Sequence, residues 1–227
     1  MSKKIQAVIF DLDGVITDTA EYHYLAWKEL AARLGISIDR EFNEQLKGVS
    51  RTDSLEKILM HGGKEKEFTE EEKAELAASK NDHYKTLIKQ ITPDDILPGI
   101  RELLQNLKEE QIKIGLASAS KNAPVILERL QLASRFDAVA DAGAVKKGKP
   151  DPEIFLTAAA LLEAEPRHCI GIEDALAGVE AIKSAGMFAV GVGPQDILKE
   201  ADMVVSYTSE LSFTDILANY QQSGSMV

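Results

Sequence analysis

Residues 5–10 read Ile-Gln-Ala-Val-Ile-Phe and stop at Asp11, with Gly14 close behind. A short run this apolar, ended by a carboxylate and a glycine, is the pattern of a buried parallel strand running out into a loop. Comparable runs recur at 113–117, 138–139, 169–172 and 188–192, with a candidate sixth at 203–205. Stretches of helical pattern at 99–110, 123–132, 152–163 and 176–185 lie between them. This alternation predicts an α/β core, a parallel sheet covered by helices on both faces. In such sheets ligands gather beyond the carboxyl ends of the strands.

Residues 18–91 interrupt the alternation with several helical segments and no convincing strand. Asp18 is placed to cap a helix with Glu21 at its third position, and His23, Trp27, Leu30 and Leu34 recur on one helical face. A long helix opening on acidic residues is predicted over 69–91, followed by the turn-rich 92–99. The expected organisation is a core of residues 1–16 and 94–227 with a helical domain, 17–93, inserted after the first strand. Hinges are expected near Thr17 and Pro93, and the polar tail from Gln221 is expected to fray. At about 150 residues per domain, 227 residues make roughly one and a half domains, in keeping with a core plus an insert.

Charge narrows the partners. With 37 acidic against 26 basic side chains, a formal net charge of −11 disfavours nucleic acid and anionic membranes, which need a broad basic footprint. A single cysteine, Cys169, excludes an intrachain disulfide. With no signal-peptide pattern and no 18-residue apolar span, a cytoplasmic location is expected.

Asp11-Leu12-Asp13-Gly14-Val15 follows the first strand directly. Side chains two apart in extended backbone share a side, so Asp11 and Asp13 can face one site. A carboxylate is a competent nucleophile toward phosphorus, and a second one within reach can act as general acid and base. The plain alternative is a capped turn. Glu173-Asp174 ends another buried run. Four converging carboxylates would repel one another unless a hard cation such as Mg²⁺ sits among them. Otherwise Glu173 and Asp174 simply begin a helix, where acids suit the macrodipole. Lys149, in Lys149-Pro150-Asp151-Pro152, can screen a carboxylate from an anionic phosphate, or can be a solvated lysine beside Lys146 and Lys147. Ser118-Ala119-Ser120 ends the second strand, and Asn122 is placed to cap the helix that carries Pro124 in its first turn. Free amides there suit a phosphate, the plain alternative being an ordinary capped turn.

In order and spacing, Asp11-x-Asp13-Gly14, Ser118, Lys149-Pro150 and Glu173-Asp174 resemble the four motifs of the haloacid dehalogenase superfamily. The resemblance covers the whole chain. It implies a Rossmann-like core, a helical cap inserted after the first strand, and one Mg²⁺ held by Asp11, Asp13, Glu173 and Asp174. It also implies an aspartyl-phosphate on Asp11 as nucleophile, with Lys149 and Ser118 beside it. The second aspartate, Asp13, points to phosphoryl transfer rather than dehalogenation. Ala175 departs from the pattern, since members often carry Ser there.

Asp18-Thr19-Ala20-Glu21-Tyr22-His23 with Ala26-Trp27, Lys47-Gly48-Val49-Ser50-Arg51 with Ser54-Leu55, Lys80-Asn81, and 116–122 in the core resemble the hexose-phosphate mutases of that superfamily. Ser50 can cap a helix beginning at Arg51, with Asp53 at its third position. An arginine at a helix N-terminus is disfavoured unless an anion is near, so Arg51 is a candidate for a second phosphate; the alternative is pairing with Asp53 or Glu56. The resemblance implies interconversion of β-D-glucose 1-phosphate and β-D-glucose 6-phosphate through phospho-Asp11, with β-glucose 1,6-bisphosphate as intermediate and activator. Asp13 serves as acid and base. By the same resemblance, Asp13, Gly48, Val49, Arg51, Ser54, Ser120, Lys121 and Asn122 are expected to bind substrate. The resemblance also implies that His23, Thr19 and Lys80 couple sugar binding to Asp13; the plain alternative for His23 is packing within the helical domain. A Mg²⁺-dependent sugar-phosphate phosphatase is the alternative. The expected partners are small sugar phosphates, with no nucleic acid, no membrane and a monomeric chain.

Overall fold

The computed structural model describes residues 4–46 and 48–223; Lys47, in one of the motifs above, and 224–227 lie outside the described residues. The chain divides into two compact units, Met1–Asp18 with Thr92–Val227, and Thr19–Ile91.

The first unit is built on a sheet with six strands among the described residues: β1 (Ala7–Phe10), β2 (Lys113–Leu116), β3 (Ala138–Val139), β4 (Cys169–Glu173), β5 (Phe188–Val192) and β6 (Met203–Val205). All neighbours run parallel, in the order β3-β2-β1-β4-β5-β6. The chain starts in the middle, steps outward to β3, then crosses back to β4 and steps the other way. The order therefore reverses between β1 and β4, the place where a parallel sheet opens a crevice at its carboxyl edge. Register decides what stands there. Phe10 pairs with Ile172, so Asp11 falls level with Glu173. The ladder runs one residue further, with the Asp11 amide donating to the Ile172 carbonyl and the Ala117 amide to the Phe10 carbonyl.

Every residue of β1, β4 and β5 is buried, which accounts for the continuous apolar runs that mark them in the sequence. Among the described residues of 19–91 four α-helices form, namely α1 (Ala20–Arg33), α2 (Arg40–Glu44), α3 (Arg51–His61) and α4 (Glu70–Leu87). The sheet unit adds α5 (Ile100–Glu109), α6 (Ala123–Arg129), α7 (Glu153–Leu161), α8 (Leu176–Ser184) and α9 (Phe213–Ser223). In α5, Ile100, Leu103, Leu104 and Leu107 supply the buried stripe at helical spacing. Helices α7 and α8 press Phe155, Ala158, Val179 and Ile182 onto Ala7, Ile9 and Ala189 of the strands. Each large apolar side chain buried in this way contributes about 1.5–3 kcal/mol.

The second unit has its own core, Trp27, Leu30, Ala31, Ile36, Ile38, Leu46, Leu55, Ile58 and Leu59. Its helix ends differ in places from the expected ones. Thr19, not Asp18, takes the cap position of α1, and the Thr19 side chain makes no cap hydrogen bond. Thr19 has φ −101° and ψ 4°, outside the extended range that aims a cap oxygen at the free amides. Glu21 consequently serves no capping box and pairs with Arg40 at 2.6 Å. The long helix over 69–91 stops at Leu87 and tightens into a 3₁₀ turn, Ile88–Gln90. Its start is a full capping box between Thr69 and Glu72. Asn122 occupies the cap position of α6 without a side-chain cap bond. The tail stays helical past Gln221 to Ser223, because Tyr220 is buried and its hydroxyl donates to the Arg167 carbonyl at 3.1 Å.

Candidate active site

Asp11 leaves β1 at the strand-order reversal and is almost fully buried. Its Oδ1 accepts from Lys149 Nζ at 2.7 Å, and its Oδ2 accepts from the Asp13 amide at 3.1 Å. Lys149 reaches in from the loop before α7 and donates equally to Glu173 Oε2, also at 2.7 Å. The ammonium sits 5.1 Å from the Phe155 ring centroid. Burial works against its charge, but attraction to Asp11 and Glu173 prevails and raises its pKa. Of the two readings of this lysine, the structure shows the buried one.

Glu173, the last residue of β4, has no exposed surface. Its Oε1 accepts from the amides of Asp174 and Ala175 at 3.2 and 3.1 Å. Burial and the neighbouring Asp11 push its pKa up, while Lys149 and the amide bond oppose them. Glu173 and Asp174 precede α8 rather than begin it, since the helix starts at Leu176. Two glycines make room for these acids. Gly14, at φ +72°, has the Asp174 carboxylate where a β-carbon would stand, and Gly178 of α8 has the Glu173 carboxylate in that place. The glycine of the Asp-x-Asp-Gly motif is thus demanded by both its backbone and its neighbour.

Oxygens of Asp11, Glu173 and Asp174 come within 4.8 Å of one another. Asp13 stands outside that group. Three carboxylates against one ammonium leave two negative charges, and the donors are all hard oxygens; both facts fit one divalent cation of the Mg²⁺ kind. At the end of β2, Ser118 is buried, its Oγ accepting from the Ser120 amide at 3.1 Å, while Ser120 Oγ accepts from the Asn122 amide at 3.3 Å. Asn122 is buried and Lys121 exposed.

In the helical unit a separate polar cluster joins α1 to α4. Lys80 is buried and lies 2.8 Å from His23 Nδ1, 4.5 Å from the Trp27 ring centroid and 4.9 Å from that of Tyr84. An ammonium can only donate, so His23 Nδ1 accepts and the ring proton of the neutral imidazole is on Nε2. Burial, Lys80 and Arg51 hold its pKa well below the ordinary histidine value. The ring stacks on Tyr84 at 4.0 Å between centroids. Tyr84 escaped sequence reading, although it stands one turn from Lys80 on α4, the same spacing that relates His23 to Trp27. Thr19 is fully buried, and among the described residues its Oγ1 has no hydrogen-bond partner. Gly48, Val49 and Arg51 are half-buried at the start of α3, and Ser54 is buried one turn on. Ser50 caps α3, accepting from the Asp53 amide at 3.2 Å and donating to the Asp53 carboxylate at 2.7 Å. Glu56 pairs with Lys73 at 2.8 Å. The two carboxylates nearest Arg51 in sequence thus have these other partners.

A parallel sheet of this strand order, carrying its acids at the carboxyl edge with a helical segment between the first two strands, agrees with the match of residues 5–186 to the haloacid dehalogenase-like hydrolases; the chain belongs to that family. Within it, the chain is 56% identical over 218 residues to the β-phosphoglucomutase of Bacillus subtilis, covering 96% of each. The crystal structure of β-phosphoglucomutase from Clostridium difficile superimposes with a TM-score of 0.96 at 54% identity, covering 97% of this chain and 99% of that one. A phosphorylated carbohydrates phosphatase of Thermotoga maritima is 34% identical over 81% of this chain and 82% of its own length.

Proposed function

We propose that the chain is an isomerase that interconverts β-D-glucose 1-phosphate and β-D-glucose 6-phosphate. The observation that carries this reading is the 56% identity to a curated β-phosphoglucomutase along 96% of both chains, helical unit included. Asp11 is the nucleophile. Its carboxylate attacks the phosphorus of a sugar phosphate, the new P–O bond forms as the bond to the sugar oxygen breaks, and Asp13 protonates the departing oxygen. In the reverse direction Asp13 takes the proton of the accepting hydroxyl. Phospho-Asp11 and either monophosphate give β-glucose 1,6-bisphosphate, which returns its other phosphate to Asp11.

Asp11, Asp174 and Glu173 are the residues that would hold Mg²⁺, which supplies positive charge to the transferring phosphoryl group. Asp13, expected beside them in the metal site, uses its carboxylate for proton transfer. Lys149 offsets the repulsion between Asp11 and an incoming phosphate, and Ser118 lies beside the transferring group. Arg51, Gly48, Val49 and Ser54 on the helical unit, and Ser120, Lys121 and Asn122 on the sheet unit, are assigned to substrate. His23, Lys80 and Thr19 are assigned to coupling sugar binding to Asp13. The same reading takes the bisphosphate as activator and a monomeric, cytoplasmic chain.

Incubation with β-glucose 1-phosphate, Mg²⁺ and a trace of the bisphosphate should accumulate glucose 6-phosphate. Release of inorganic phosphate as the main product overturns the mutase reading in favour of a sugar-phosphate phosphatase. Asp11→Asn should abolish phosphoenzyme, whereas Asp13→Asn should retain the site yet slow transfer to and from the sugar; normal turnover in either variant refutes its role.

A further inference from the structure

The loop that carries Asp13 is short, and one buried residue closes it. Thr17 is 1% exposed and lies four residues beyond Asp13. Its carbonyl accepts from the Gly14 amide at 2.9 Å, its own amide donates to the Leu12 carbonyl at 3.2 Å, and it forms a bridge with Asp13. The backbone of residues 12–17 is thereby folded on itself around Asp13.

The side chain does something else. Thr17 Oγ1 donates to the Asp95 carbonyl at 2.8 Å, a residue 78 positions away on the segment where the chain returns from the helical unit. Beside it, Thr17 bridges Ile96, and the Leu97 amide donates to the Ile16 carbonyl at 2.9 Å. Asp95 is itself anchored, since its Oδ2 accepts from the Thr92 amide at 2.7 Å and from the Thr92 hydroxyl at 3.1 Å. The hydroxyl of Thr17 therefore ties the Asp13 loop to a hydrogen-bonded turn that the loop's own sequence does not contain.

We propose that Thr17 is a positioning residue for Asp13, its hydroxyl bond to Asp95 holding the acid–base carboxylate where a sugar oxygen exchanges its proton. This rests on the acid–base role proposed above for Asp13. General acid catalysis helps only a leaving group that needs a proton. A sugar alkoxide needs one; acetate does not. Loss of the Thr17 hydroxyl should therefore slow loading of Asp11 from a sugar phosphate and leave loading from acetyl phosphate unaffected.

The test measures both loading rates by rapid quench in the presence of Mg²⁺, for the full chain and for Thr17→Val, Thr17→Ser and Asp95→Ala. Thr17→Val keeps the shape of the side chain and removes its donor. It should lower loading from β-glucose 1,6-bisphosphate about tenfold, with loading from acetyl phosphate within about twofold of the parent. Thr17→Ser should restore the first rate. An equal loss with both donors, or no loss with either, overturns the proposal. Asp95→Ala loosens the same carbonyl from the opposite side and should change the ratio in the same direction, so the proposal stays testable if Thr17→Val does not fold. If the parent proves to be a phosphatase, the comparison runs with glucose 6-phosphate in place of the bisphosphate, so failure of the mutase reading and failure of this one are told apart.

Discussion

Lys149 shows how much one side chain can hold. With its Nζ 2.7 Å from two buried carboxylates, removal leaves both acids uncompensated away from water. Lys149→Met should cost about 3–5 kcal/mol of stability in the metal-free protein, measured by urea denaturation. An unchanged midpoint would mean that water already reaches the pair. His23 makes a prediction of the opposite kind. Its pKa is depressed in the folded state, so below the unfolded value of about 6.5 the unfolded chain binds the extra proton. Stability is therefore complete at neutral pH and declines as pH falls through that range. Thermal midpoints of the parent should drop more steeply between pH 7 and pH 5 than those of His23→Gln. Equal slopes would mean that His23 is protonated in the fold.

Between elements, contacts of a few atoms set the site. Helix α8 lies so close to the end of β4 that only a glycine fits at position 178 beside Glu173. Gly178→Ala should add helix propensity and still harm the protein, because the methyl occupies the place of the carboxylate. The expected result is at least about a tenfold loss of activity, with weaker Mg²⁺ binding by calorimetry. Full activity would show that Glu173 can move at no cost. The start of α3 offers a milder case. Ser50 meets the Asp53 amide through its side chain, so Ser50→Ala should cost about 1 kcal/mol by thermal denaturation.

For the whole molecule, the surplus of two negative charges in the acid cluster links metal to stability. At a hundredfold excess over its dissociation constant, Mg²⁺ should stabilise the chain by about 2.7 kcal/mol, and Asp174→Asn should remove most of that gain. Chelation should abolish turnover and restore the lower midpoint; a metal-independent midpoint would place the cation elsewhere. No helix among the described residues is long and apolar enough to cross a membrane. Much of this architecture was legible in the sequence because its rules act over a few residues. Apolar runs marked the buried strands, and the missing strand pattern in 18–91 marked the helices there. Local spacing likewise exposed Ser50 as a cap, although it failed at Asp18, where one backbone angle moved the cap to Thr19. The resemblance put Lys149 beside Asp11, but its burial and its pairing with Glu173 were not legible. Its partners lie 138 and 24 residues away, and only the sheet register brings them together. The same holds for the bond from Thr17 to Asp95, and for which of four candidate carboxylates gather. Sequence by itself determined which chemical groups stand at the strand ends, since strand, turn and cap preferences are local. Tertiary structure alone decided their charge states and pairings, because burial and Coulomb attraction depend on distance through space, not along the chain.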